Sequence, residues 1–221
     1  MRKLLGLAIS AVILAGCDMN LNIHGGGPQV VGSGKVGTIS RKVGSFKSVS
    51  LEGSIDADVT IGRASDAQIS GDDNLINLVK TEIKGDTLHI YLKENYTTKH
   101  PIKVTVSATA LVEASIAGSG DLKVNSYRGS DLKLSIAGSG DISVAGSADA
   151  LSASIAGSGD MNLYGLKVAK AKVDVAGSGD VNVSVSDSLN ANIAGSGDIH
   201  YKGHPRVTKS VAGSGDVSGG E

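Results

Sequence analysis

The sequence has no tryptophan, one phenylalanine and five tyrosines among 221 residues. A core built on large rings is therefore excluded, and the interior must be assembled from Val, Ile, Leu and Ala. It has a single cysteine, Cys17, so no intramolecular disulfide can staple the fold. It has no excess of either charge. The 21 Lys and Arg stand against 22 Asp and Glu, a net charge of -1 that leaves no strong field for nucleic acid. Apolar residues make up 40% of the chain, enough for a packed interior but not for many membrane spans. The length suits one domain, or one domain and a tail. The residue in excess is glycine, with 31 copies, about twice the usual share of roughly 7%.

Arg2 and Lys3 precede an apolar run from Leu4 to Leu14, which ends in Leu14-Ala15-Gly16-Cys17. The run is shorter than the about 20 residues that span a bilayer. A basic start, a short apolar run and small residues before a Cys describe a bacterial secretion signal of the lipoprotein type. An ordinary signal peptide with an incidental Cys near its cut is the alternative. The segment resembles a lipobox, which implies cleavage before Cys17 and a diacylglyceryl group on its sulfur. Acylation also removes the one oxidisable thiol of an exported protein, and two or three acyl chains anchor firmly where one binds marginally.

The expected organisation is a signal peptide over 1–16, a Gly-rich tether over 17–37 with lipidated Cys17, and one domain over 38–221. His24-Gly25-Gly26-Gly27-Pro28 and Gly32-Ser33-Gly34 hold regular structure poorly, and a flexible stretch of about 20 residues has an r.m.s. span of about 25 Å. Without Arg2 and Lys3 the mature chain carries 19 basic and 22 acidic residues, a net charge of -3. Asp18 resembles the inner-membrane retention signal of enterobacterial lipoproteins. The expected address is the cell envelope, at the periplasmic face of either membrane or at the cell surface.

The pentapeptide Ala-Gly-Ser-Gly-Asp occurs six times, starting at Ala117, Ala137, Ala156, Ala176, Ala194 and Ala212, with spacings of 20, 19, 20, 18 and 18. A period near 20 residues signals a solenoid. Each Ala follows an aliphatic residue: Ile116, Ile136, Ile155, Val175, Ile193 or Val211. Each Asp precedes another: Leu122, Ile142, Met161, Val181, Ile199 or Val217. Between copies apolar and polar residues alternate, as at Leu132, Leu134 and Ile136, which describes strands with one buried face. Two short strands per repeat are expected, parted by Gly-Ser-Gly and by turns near Arg128-Gly129-Ser130, Ala145-Gly146-Ser147, Gly165 and Ser186-Asp187-Ser188.

The predicted fold is all-β, a single-stranded right-handed parallel β-helix with coils of about 20 residues. A left-handed hexapeptide helix and a β-sandwich are the alternatives. The first wants one inward aliphatic every six residues, whereas inward residues here recur every two. The second does not account for an identical turn in every repeat. Because no amphipathic helix covers either end, a local cap from residues 38–50 or self-association into a homo-oligomer is expected.

These features are similar to those of the putative autotransporter adhesin family called the head GIN domain. The resemblance is carried by Phe46-Lys47-Ser48-Val49-Ser50-Leu51-Glu52-Gly53-Ser54-Ile55-Asp56, by Gly71-Asp72-Asp73-Asn74-Leu75-Ile76, by Gly85-Asp86-Thr87-Leu88-His89-Ile90 and by the Gly-Ser-Gly-Asp series, over about 46–217. It implies an envelope protein, often a lipoprotein, with a β-helix and no assigned catalytic residues. Ile55 stands where the family has the second Gly of its first turn, so that corner is expected to differ in shape.

Stacked coils would set Asp121, Asp141, Asp160, Asp180, Asp198 and Asp216 above one another about 4.8 Å apart. Neighbouring carboxylates at that spacing repel by about 0.9 kcal/mol in water and about 3.5 at an effective dielectric of 20. Backbone N–H donors in each turn, with nearby Lys123 and Lys133, would offset this. A Ca²⁺ ladder is the alternative, since a hard cation prefers carboxylate oxygens. His100, His200 and His204 precede or lie near turns and make no metal site. The tyrosines Tyr91, Tyr96, Tyr127, Tyr164 and Tyr201 are too scattered for a sugar-stacking groove. A repeated Asp has a repeated environment, whereas acid/base catalysis needs two carboxylates that differ. The expected function is therefore non-catalytic: a binding or scaffold surface of adhesin type, with the membrane and a polysaccharide or envelope protein as partners. A carbohydrate-active β-helix enzyme is the alternative. No catalytic residue, cofactor or metal ligand is assigned.

Overall fold

The computed structural model describes residues 29–64 and 66–220. The expected signal peptide and lipid-bearing Cys17 lie outside the described residues. Ten short strands come first: β1 (Val30–Val31), β2 (Val36–Arg41), β3 (Ser48–Gly53), β4 (Asp56–Ile61), β5 (Ala67–Asp72), β6 (Lys80–Lys84), β7 (Thr87–Tyr91), β8 (Tyr96–Thr97), β9 (Lys103–Ala108) and β10 (Glu113–Gly118). Four long ones follow, β11 (Leu122–Gly138), β12 (Ile142–Gly157), β13 (Met161–Gly177) and β14 (Val181–Gly195). The last are β15 (Ile199–Lys202), β16 (Arg206–Gly213) and β17 (Val217–Gly220). The described residues contain no helix, and the strands wind into a β-solenoid of about five turns with coils of about 20 residues.

The repeat dictates the register. Leu122 pairs with Ile142, Ile142 with Met161, Met161 with Val181, Val181 with Ile199 and Ile199 with Val217, all in parallel. Every member of that column is buried. Ile116, Ile136, Ile155, Val175 and Ile193 form a second buried column. Each buried aliphatic side chain stabilises the fold by about 1.5–3 kcal/mol. The core is thus a stack of like on like, and β-branched residues suit it because their stiff side chains pack well on a pleated surface.

The two strands expected in each repeat are joined into one. Their separating turns remain extended and pair with the coils above and below. The change shows instead as slips of register, between Val124 and Tyr127, Ser143 and Gly146, and Leu163 and Lys167. Tyr127 turns inward at the first slip, is buried, and donates its hydroxyl proton to the carbonyl of Asp131 at 2.8 Å.

The first coils are not stacked in chain order. β3 lies between β7 and β10, and β4 lies between β9 and β11, all parallel. The coil over 48–61 is therefore sandwiched between the later 87–108 and 113–125. The intervening chain forms the end cap, with β2 and β9 antiparallel to β5, and β6 antiparallel to β7. The expected local cap exists, but it is built from 36–41 and 67–84, whereas 48–50 belong to a coil.

Residues 30–37, expected as the end of the tether, are folded onto this cap. β1 pairs with β8, and β2 with β5. The agent is the Gly71-Asp72-Asp73-Asn74 segment. Asp72 is fully buried. Its carboxylate accepts protons from Gly34 N–H at 3.0 Å, Thr98 hydroxyl at 2.8 Å and Lys99 N–H at 2.8 Å. Asn74 accepts from Ser33 N–H and donates to the Val31 carbonyl, both at 2.9 Å. Gly32 lies so close that a Cβ there would sit 2.0 Å from Asp72 Oδ2. Gly32, which reads as flexible in sequence, is needed for this approach.

At the far end β16 and β17 are the outermost strands among the described residues. Lys209 occupies the inward position held by Leu134, Ala153, Val173 and Ala191 in the coils before it. Its ammonium crosses the end of the coil and donates to the Val217 carbonyl at 3.1 Å. The Tyr201 ring lies over Gly219, where a Cβ would come within 2.7 Å of it. An inward charge and a ring laid across the opening disfavour strand addition to a bare end.

Burial alone would raise the Asp72 pKa, but the N–H of Lys99, the hydroxyl of Thr98 and the N–H groups of His100 and Gly34 together hold it below its ordinary 3.8. A depressed folded-state pKa contributes stability that is complete above the unfolded value and is lost as pH falls through the folded one. Residues 30–37 are therefore expected to detach below about pH 4, before the coils melt. Hydrogen exchange at Gly34 and Lys99 measures this, and Asp72→Asn should loosen the same amides at neutral pH. Protection of Gly34 that persists unchanged down to pH 2 contradicts the assignment.

Candidate functional site

Each Gly-Ser-Gly-Asp corner sits directly on the one before it. The N–H of Ser139 reaches the Gly118 carbonyl at 2.9 Å, and Ser158, Ser178, Ser196 and Ser214 repeat the contact at 2.8–2.9 Å. The first glycine of each pentapeptide has φ between +136 and +144, a conformation L side chains rarely adopt. The second glycine has no such torsion, yet a Cβ on Gly140, Gly159, Gly179, Gly197 or Gly215 would lie 2.0–2.1 Å from the carbonyl oxygen of its counterpart. One glycine is required by torsion and approach, the other by approach alone.

The expected difference at Ile55 is present and has a local cause. No Gly-Ser-Gly corner underlies it: the residue beneath is Ile102, whose carbonyl accepts the Asp56 N–H at 2.9 Å. Ile55 can then point into the core, where it is fully buried. Gly53 has φ +86, and a Cβ there would meet nothing within 4 Å.

The Asp column is assembled as expected and is one member longer. Asp56 accepts the N–H of Asp121 at 3.0 Å through Oδ1. Asp121 accepts that of Asp141 at 3.2 Å, and Asp141, Asp160, Asp180 and Asp198 each accept from the next Asp at 2.8 Å. The donor lies in the neighbouring coil, not in the same turn, so each carboxylate ties two coils together. Asp56 could have been found from sequence, because Gly53-Ser54-Ile55-Asp56 keeps three of the four corner residues.

Beside the column runs a shallow groove of about 560 Å³, lined by Asp58, Lys123, Ser143, Asn162 and Asn182 as well as by Asp56, Asp121, Asp141 and Asp160. At one end Lys103 pairs with Asp58 at 2.7 Å. The expected help from Lys133 is absent: its ammonium pairs with Glu113 at 2.8 Å instead. Among the described residues no group of three or more His, Asp or Glu side chains converges as a metal site. His200 and His204 do not meet. His200 contacts Ser218 at 2.9 Å, whereas His204 lines a separate concavity. The tyrosines are likewise dispersed, with Tyr127 in the core and Tyr164 partly exposed.

A family model described as "Putative auto-transporter adhesin, head GIN domain" matches residues 45–205. No curated protein matches the chain. Solved structures do. A putative adhesin from Bacteroides fragilis is 23% identical with a TM-score of 0.69, covering 86% of this chain and 99% of its own. A putative lipid binding protein from Parabacteroides distasonis is 26% identical with a TM-score of 0.53, covering 88% and 100%. A putative adhesin from Parabacteroides merdae is 23% identical with a TM-score of 0.51, covering 87% and 99%.

If the carboxylates serve to join coils, Asp160→Asn keeps an acceptor for the Asp180 N–H and relieves repulsion, so stability should change little or rise. Asp160→Ala removes the acceptor and should cost about 1 kcal/mol. Chemical denaturation of the two variants checks the order. Equal losses in both would show that the negative charge, and not the acceptor oxygen, matters.

Proposed function

The chain belongs to the putative auto-transporter adhesin, head GIN domain family, and from that premise we propose that it is a lipid-anchored envelope protein whose solenoid is a non-catalytic binding surface. The observation that carries the reading is the display of side chains in register. Lys123, Ser143, Asn162, Asn182, His200 and Ser218 follow one another on successive coils beside the Asp column. A partner with its own repeat, such as an envelope polysaccharide, matches such a lattice. The reading excludes catalysis by the column, because every Asp from Asp56 to Asp198 has the same task, accepting one backbone N–H. Anchoring through Cys17 rests on the Leu14-Ala15-Gly16-Cys17 sequence and puts the binding surface at the membrane.

Two measurements test this. Cys17→Ser should release the protein from membranes; a variant that still sediments with them after a high-salt wash contradicts the anchor. Capture on labelled envelope glycans should occur without new reducing ends, and turnover would contradict the non-catalytic reading. Under the same reading, Ca²⁺ leaves the melting temperature nearly unchanged. A ladder that bound Ca²⁺ only in the folded state would gain about 2.7 kcal/mol at 100 times the dissociation constant.

A further inference from the structure

A second column lies on another part of each coil, where the register slips. Arg128 pairs with Ser147, Ser147 with Lys167, Lys167 with Ser184 and Ser184 with Lys202. Five successive coils thus present cation, serine, cation, serine, cation. The three cations are exposed, and their backbone positions stand about 9.6 Å apart, twice the spacing between neighbouring strands. Doubling the distance halves their mutual repulsion, so the serines act as uncharged spacers.

The local geometry keeps these cations available. Among the described residues no Asp or Glu comes within ion-pair distance of Arg128, Lys167 or Lys202. The nearby Asp187 takes the Ser186 hydroxyl at 2.6 Å. Three residues, Tyr164 to Leu166, have no register partner in β14; the Ser184 hydroxyl donates to the Tyr164 carbonyl at 3.0 Å, and the Lys202 ammonium rests 4.7 Å from the centre of the Tyr164 ring. Where the coils shorten from 20 to 18 residues, a concavity of about 540 Å³ opens, lined by Lys167, Ser184, Lys202 and His204 over the buried Val168 and Val185. Beside it, Lys170, Ser188 and Arg206 repeat the cation, serine, cation order.

We propose that this column binds a linear acidic glycan carrying one anionic group on every second sugar. A sugar ring in an extended chain advances by about one strand spacing, so alternate-sugar carboxylates would fall in step with Arg128, Lys167 and Lys202. Each would meet one cation, with the intervening neutral sugar over a serine. The Asp column differs in both respects, because it has one charge per coil and its Oδ1 atoms are occupied by backbone N–H groups. The proposal deepens the polysaccharide-binding reading and rests on it.

Fluorescence anisotropy of the full chain in detergent, with labelled oligosaccharides of equal length, tests the match. The probes are hyaluronan, charged on alternate sugars, oligogalacturonate, charged on every sugar, and a neutral cello-oligosaccharide. Hyaluronan should bind tightest. Lys167→Gln and Lys202→Gln should each weaken it about fivefold, the loss of one charge contact, while Lys80→Gln, on the exposed cap strand β6 and outside both columns, changes nothing. Oligogalacturonate binding as tightly or more tightly would show a response to charge density alone and overturn the proposal. So would absence of hyaluronan binding, or an equal loss in Lys80→Gln. Capture of the neutral glycan alone would overturn it while leaving a polysaccharide-binding function standing.

Discussion

The closeness of the corner backbones constrains everything else in this molecule. Carbonyl oxygens of one corner lie where a Cβ of the next would be, at 2.0–2.2 Å, for both glycines of the repeats from Gly138 onward. That approach lets the Ser N–H reach the preceding Gly carbonyl and lets each Asp carboxylate reach the next Asp N–H. Once the corners are stacked, register is fixed along the coil. The aliphatic columns fall into line inside, and the polar columns fall into line outside. The repetition of five residues therefore has a steric cause, and the surface order is its consequence.

The same constraint explains why the ends look different from the middle. The second glycine of a corner is demanded by the corner backbone beneath it: a Cβ on Gly120 would lie 1.9 Å from the Ile55 oxygen, whereas no such corner underlies the coil at 48–61, so Ile55 is accommodated there. Below that coil the chain returns as 87–108 and closes the stack with antiparallel strands, and Asp72 pins 30–37 across them. At the other end Lys209 reaches the Val217 carbonyl and the Tyr201 ring lies over Gly219, while Val211, next in the inward aliphatic column, is left 40% exposed.

The solenoid was legible in the sequence because its signal is periodic: an identical pentapeptide at near-constant spacing, with aliphatic residues at fixed offsets. The family resemblance over about 46–217 agrees with the matched 45–205. Winding order was not legible, since the pairing of 48–61 with 87–108 and with 113–125 depends on contacts between residues 39, 47 and 65 apart along the chain. Nor was the docking of 30–37, because Gly32-Ser33-Gly34 looks like a linker until Asp72 and Asn74 are placed against it. Asp56 was missed for want of the second glycine. The alternation of Arg128, Ser147, Lys167, Ser184 and Lys202 was hidden by the register slips, which make those residues 19, 20, 17 and 18 apart along the chain, unlike the even count a reader would seek.

Close approach at the corners is tested most directly by adding one methyl group where torsion is not at issue. Gly159 has no positive φ, but a Cβ there would lie 2.1 Å from the Gly140 oxygen, whereas a Cβ on Gly62 meets nothing within 4 Å. Equilibrium unfolding of Gly159→Ala should show a loss of about 3 kcal/mol, at the upper end of ordinary overpacking, since backbone cannot step aside as a side chain can. Gly62→Ala should change stability by no more than about 0.5 kcal/mol. Equal, small effects at the two positions would contradict the account.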